Sequence, residues 1–141
     1  MRLAVGGDAP EIMRMGRAFA EVAGFKADDY SMLVTIKMLL DTGGLFVIGD
    51  PPHGMVGAIL YPHYFDRSAT VAQEMFWWVD KEHRKSGAGM VLLEGLEKWA
   101  KDNQAKSLTM IALAASDGDS MGRFYESRGY VPLERHYVKV L

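Results

Sequence analysis

The chain has 141 residues, 49% hydrophobic and 24% charged, enough apolar material for one core and too little length for a second domain of ordinary size. Sixteen Lys and Arg against eighteen Asp and Glu leave a formal charge of −2, so the overall balance gives a nucleic-acid partner no electrostatic support. The absence of cysteine excludes disulfides, thiolate zinc sites and a cysteine acyl-enzyme, so any acyl transfer should be direct.

No apolar run approaches the roughly 18 residues of a membrane span. The stretch from Met1 to Asp8 is too short in its apolar part for a signal peptide, so a soluble, cytoplasmic protein without a membrane partner is expected. Arg2 to Val5 reads as a short strand ended by Gly6-Gly7. Asp8 followed three residues later by Glu11 has the spacing of a helix cap, and Pro10 is tolerated in a first turn. Ile12, Met15, Phe19 and Val22 then share one helical face. A second helix is expected from Asp28 to Leu40, with Leu33, Ile36 and Leu40 inward, and Thr42-Gly43-Gly44 stops it.

Leu45 to Ile48 and Met55 to Tyr61 flank Gly49 to Gly54 and read as a hairpin. A strand follows at roughly 70 to 79. Beyond the next loop, Met90 to Lys101 carries Leu92, Leu93, Leu96, Trp99 and Ala100 at helical spacing. Ser107 to Leu113 is the next expected strand, Asp117 to Arg128 the next helix, ended by Gly129, and a last strand falls within Tyr130 to Val140.

The loop between the 70–79 strand and the helix that follows it is Arg84-Lys85-Ser86-Gly87-Ala88-Gly89. Glycines at 87 and 89 let backbone turn tightly and approach a ligand closely. The first turn of a helix presents unpaired N–H groups with partial positive charge, so an anion is expected there. The stretch is shorter than the dinucleotide fingerprint and lacks the Gly-Lys-Ser/Thr ending of a triphosphate loop. An ordinary strand-to-helix turn is the plain alternative.

Arg84, Gly87 and Gly89 resemble the acetyl-CoA-binding motif of the GNAT (GCN5-related) N-acetyltransferases, Gln/Arg-x-x-Gly-x-Gly/Ala. Phe124-Tyr125-Glu126-Ser127-Arg128-Gly129-Tyr130 resembles that family's carboxy-terminal signature, and the order of elements is the family's over essentially the whole chain. The resemblance implies an α/β fold with a GNAT-like mixed, mostly antiparallel central sheet, splayed parallel strands 4 and 5, and about four flanking helices. It also implies one acyl-CoA N-acyltransferase domain over residues 1–141, moving acetyl from acetyl-CoA to a primary amine of a small molecule, peptide or protein. The pantetheine arm is then expected along Trp77, Trp78 and Val79, which alternate across the strand, and the diphosphate on backbone from Lys85 through Ser86, Gly87 and Ala88 to Gly89. Arg84 and Lys85 add charge there unless they are simply a solvated pair.

By the same resemblance Tyr125 is the acid that protonates the departing thiolate; the alternative is a core tyrosine bonded to backbone. Glu74 is the candidate to take the amine's proton. In the family's histone-type branch that glutamate falls where this chain has Gln73, and a one-residue step on a strand reverses the face unless a bulge intervenes. His63 and Tyr64 are candidates to line the acceptor site. Gly118 stands where the family often has asparagine, with Ser116 or Asp117 available as a helix cap. His53, His63, His83 and His136 show no metal-ligand spacing, so no catalytic metal is expected. Open sheet edges make a homodimer one expectation. A non-catalytic CoA-binding or protein-interaction module is the competing reading.

Overall fold

The computed structural model describes residues 1–113, 118–139 and 141. They form two compact units, Met1–Ile111 and Ala112–Leu141. The first contains β1 (Arg2–Leu3), α1 (Ala9–Ala23), α2 (Asp29–Asp41), β2 (Leu45–Gly49), β3 (Pro52–Pro62), β4 (Thr70–Val79), α3 (Ala88–Asp102) and β5 (Leu108–Thr109). The sheet runs in the order β1-β2-β3-β4-β5, antiparallel except for the parallel pair β4 and β5. The result is the mixed α/β architecture the sequence implies. Among the described residues no helix is long and apolar enough to cross a membrane.

Period-two alternation builds two cores, one on each sheet face. Leu45 and Val47 of β2 meet Met55 of β3, Ile12 and Met15 of α1, and Ile36 and Leu39 of α2. Phe46 of β2 points the other way and joins Val56 and Ala58 of β3 with Leu92 and Leu96 of α3.

Several local expectations need correction. Asp8 does not cap α1 with its side chain; its carboxylate accepts two bonds from Arg2, at 2.6 and 2.7 Å, and one from the Val5 amide at 2.8 Å. Glu11 turns to Arg14 instead. Val22 is exposed. In α2 the inward residues are Ile36 and Leu39, while Leu33 is 48% exposed and Leu40 half-buried. Apolar residues surround this helix, with Tyr30, Val34 and Met38 also exposed, so periodicity alone does not fix its inward face. Asp28 does cap α2, accepting the Ser31 amide at 2.8 Å.

The second unit holds α4 (Gly118–Ser127). Its end is closed by Gly129 at φ 88°, with the Tyr130 amide donating to the Tyr125 carbonyl at 3.1 Å. The last strand expected within 130–140 is not formed among the described residues 130–139. Pro132 removes a ladder donor, and Glu134-Arg135-His136 interrupts the apolar alternation there. The cap expected at Ser116 or Asp117 lies outside the described residues.

The corrected face of α2 gives a direct test. Leu39→Ala should cost about 2–5 kcal/mol in denaturant unfolding, and Leu33→Ala less than about 1 kcal/mol. Equal losses would contradict the packing described.

Candidate active site

One irregularity in β4 sets the orientation of everything near the loop. Gly57 of β3 pairs with Phe76, but the next residue, Ala58, pairs with Glu74, so Met75 is a bulge without a β3 partner. Alternation restarts after it. Phe76 and Trp78 pack on the α1/α2 core, whereas Trp77 packs on the α3 core with Val79. The two tryptophans thus lie on opposite faces, as expected.

A bulge was the feature needed to put Glu74 on the face that residue 73 would take in unbroken alternation back from Val79 and Trp77, and Met75, lying between Glu74 and the loop, supplies it. Gln73 pairs with Ile59 and accepts the Tyr61 hydroxyl at 2.9 Å, on the α1/α2 face. Glu74 pairs with Ala58 and shares the α3 face. Its carboxylate is 4% exposed and accepts the Ile111 amide at 2.8 Å. Burial pushes its pKa up to about 7, with the Ile111 bond opposing the rise.

That bond spans a fork in the sheet. β5 pairs with β4 only at Leu108 with Ala72 and Thr109 with Gln73. Beyond Gln73, among the described residues, β5 does not continue the ladder along β4. The strand expected over Ser107 to Leu113 is correspondingly cut to two residues, with an amide just past it committed to the Glu74 side chain.

The end of β4 leads into a braced loop. Asp80 accepts two bonds from Arg14 of α1, at 3.1 and 2.6 Å, and one from the Trp78 indole N–H at 2.9 Å. Arg14 chiefly holds the Asp80 carboxyl below its ordinary range. Residues 81–83 make a 3₁₀ turn, after which Arg84 donates Nε to the Val79 carbonyl at 3.0 Å and lays its guanidinium 4.9 Å from the Trp78 ring centre. Arg84 therefore shapes the loop with its side chain. The His83 ring stacks on His53 of β3 at 3.8 Å, tying the loop to the hairpin end.

Ser86 Oγ donates to the His83 carbonyl at 2.7 Å and accepts the Ala88 amide at 3.3 Å. Gly87 has φ 84° and open space where a Cβ would point. At Gly89 a Cβ would sit 3.2 Å from the Trp77 ring, so glycine there lets α3 approach the sheet. The first-turn amides of α3 have no partner inside the helix, which leaves an anion-ready terminus just beyond the end of β4. Lys85 is exposed beside it.

Tyr125 belongs to the second unit, where it is buried and its ring meets those of Phe124 and Tyr130 at 5.7 and 5.5 Å. His63 and Tyr64 stack on each other at 4.7 Å in the exposed loop before β4, with Phe65 alongside. Among the described residues no group of three His, Asp or Glu is placed to hold a metal ion. Arg14, Asp80 and His53 escaped sequence reasoning, because their partners are set by the path of the loop and not by any motif.

The profile of the acetyltransferase (GNAT) family matches residues 15–130. No curated protein matches the sequence. Among solved structures, an aminoglycoside antibiotic 6'-N-acetyltransferase from Acinetobacter haemolyticus is similar at 18% identity and TM-score 0.72, over 99% of this chain and 97% of that one. An acetyltransferase of Trypanosoma brucei is similar at 17% identity and TM-score 0.75, over 99% and 97%. A ribosomal-protein-alanine N-acetyltransferase from Brucella melitensis biovar Abortus gives 19% identity and TM-score 0.69, over 96% and 94%. At such identities these likenesses establish the fold.

Glu74 carries a pH signature. Its folded pKa lies above the unfolded value of 4.5, so the stability it contributes is full below about 4.5 and lost as pH rises through about 7. Glu74→Gln should match wild type in thermal unfolding near pH 5 and exceed it at pH 8 by on the order of 2 kcal/mol. A gap that is absent at pH 8 would mean that the carboxylate is not desolvated.

Proposed function

The chain belongs to the GNAT acetyltransferase family, and from that premise we propose that it transfers acetyl from acetyl-CoA to a primary amine by direct attack in a ternary complex. Residues 1–141 act as one acyltransferase domain in this reading. The observation that carries it is the fork: β4 keeps β3 on either side of the Met75 bulge, loses β5 after Gln73, and runs on into the amides heading α3. An extended amide-bearing arm ending in a diphosphate matches that pairing of strand and helix N-terminus. The arm lies along Trp77, Trp78 and Val79, and the diphosphate takes amides within Lys85, Ser86, Gly87, Ala88 and Gly89, where the Ser86 and Ala88 amides exchange their bonds to the His83 carbonyl and Ser86 Oγ for the ligand. Arg84 holds the loop in shape, and Lys85 adds charge from solvent.

In the chemistry, the neutral amine nitrogen forms a bond to the thioester carbon, and collapse of the adduct breaks the carbon–sulfur bond. Alignment supplies most of the rate. The proton shed by nitrogen goes to Glu74 through water, because the carboxylate stands on the α3 face. A pKa near 7 suits a base at neutral pH. The departing sulfur takes a proton from the Tyr125 hydroxyl, an assignment supported by the resemblance of the 124–130 segment to the family signature.

Two variants and a product assay test this reading. Gly87→Asp suits the left-handed backbone better than most residues and projects a carboxylate into the open anion site, so acetyl-CoA affinity in calorimetry should fall roughly 30-fold with the fold intact. Unchanged affinity would remove the diphosphate from this loop. Tyr125→Phe should keep acetyl-CoA affinity and lower kcat by roughly 10²-fold, and wild-type turnover with several acceptors would leave Tyr125 as a packing residue. Mass spectrometry of an amine panel incubated with acetyl-CoA should show a gain of one acetyl group; a protein that binds acetyl-CoA and acetylates nothing would favour the non-catalytic module.

A further inference from the structure

We infer that the acceptor is a small amine with a flat, apolar body, and that a cleft between α1 and α2 receives that body; the inference rests on the transferase reading above. The cleft has a volume of about 300 Å³. Its walls are Ile12 and Phe19 from α1, Met32 and Ile36 from α2, Met55 from β3 and Phe76 from β4. The Phe19 and Phe76 rings stand 6.4 Å apart at 58°, two aromatic surfaces that are only half-buried and so open to a ligand.

Phe76 joins the cleft to the reaction. It is the first residue after the Met75 bulge, its ring lines the cleft, and its backbone belongs to the stretch of β4 without a β5 partner. A molecule with its body among these side chains therefore has one end at the edge along which the cofactor arm lies. The amine belongs at that end.

Two polar groups of the cleft are engaged at the start of α2. Asp28 accepts the Ser31 amide at 2.8 Å, and bonds from Ser31 hold its carboxyl below its ordinary range. The Thr35 hydroxyl donates to the Ser31 carbonyl at 3.0 Å. Lys26 at the same rim sets a positive charge beside Asp28. A polyhydroxylated polycation would find one carboxylate, Asp28 at the rim beside Lys26, and mostly apolar walls elsewhere, so most of its hydroxyls and further ammonium groups would lose water without gaining a partner. An aryl group costs nothing of that kind. The volume equals about ten water-sized groups, enough for a phenyl ring on a short alkylamine.

The test uses the full chain with 2-phenylethylamine, ethanolamine and kanamycin, reading kcat/KM for each with acetyl-CoA and direct binding of each by calorimetry. The expected result is a preference for 2-phenylethylamine over ethanolamine of roughly 10²-fold, the difference made by burying the ring. Ala20→Phe, which adds a ring inside the cleft, should weaken 2-phenylethylamine at least about tenfold. Phe19→Leu, a milder change that keeps the helix face apolar, should reduce the preference several-fold if the larger substitution prevents folding. Equal or better use of ethanolamine or kanamycin, or no binding of 2-phenylethylamine by a protein that binds acetyl-CoA, would overturn the inference and leave the transferase reading standing. Binding of 2-phenylethylamine that is blocked by Ala20→Phe in a protein with no affinity for acetyl-CoA would sustain the cleft and sink the transferase reading.

Discussion

Glu74 takes the amide hydrogen of Ile111 at 2.8 Å, and that amide, just beyond β5, is thereby committed to a side chain rather than to a strand ladder. The consequence is the fork in the sheet. The parallel pair forms at Ala72 and Gln73 and, among the described residues, β5 pairs with nothing beyond them, while β4 stays paired with β3 on either side of the Met75 bulge. Holding a carboxylate at 4% exposure is costly, and the upward shift of its pKa to about 7 is the measure of that cost.

The loop beyond β4 is held from several directions. Arg14 reaches across from α1 to Asp80, the Trp78 indole N–H bonds the same carboxylate, and Arg84 returns to the Val79 carbonyl over the Trp78 ring. An exposed ion pair alone contributes little, but a two-pronged guanidinium pair sharing its carboxylate with an indole fixes geometry as well as energy. Gly89 completes the arrangement from below, letting α3 sit against Trp77 so that its first turn points at the end of the strand.

Much of this was legible in the residues. Period-two alternation and flanking turns gave β4 its observed limits, and the glycines at 87 and 89 marked the loop because glycine takes a left-handed φ most readily at one and leaves room for a 3.2 Å approach at the other. What stayed hidden depended on long-range contacts. Leu39 and not Leu33 faces the core because α2 is apolar on most sides and its orientation is chosen by the sheet. The side on which Glu74 falls is set by the position of a bulge that no pattern in Gln73 to Val79 announces. Arg14 and Asp80 are 66 residues apart in the chain, and neither belongs to a motif. The carboxy-terminal strand was read from apolar residues that are exposed, with Val131, Leu133 and Tyr137 all at least 75% accessible.

The central claim is that acetyl-CoA binds the end of β4 and the first turn of α3 together. Amide hydrogen exchange, followed with and without acetyl-CoA, reads both places at once. The account predicts slowing by at least about tenfold at amides within 75–79 and 87–91, with the β1–β2 edge unchanged. Protection confined to other segments, or none at 75–79 with acetyl-CoA bound, would contradict it.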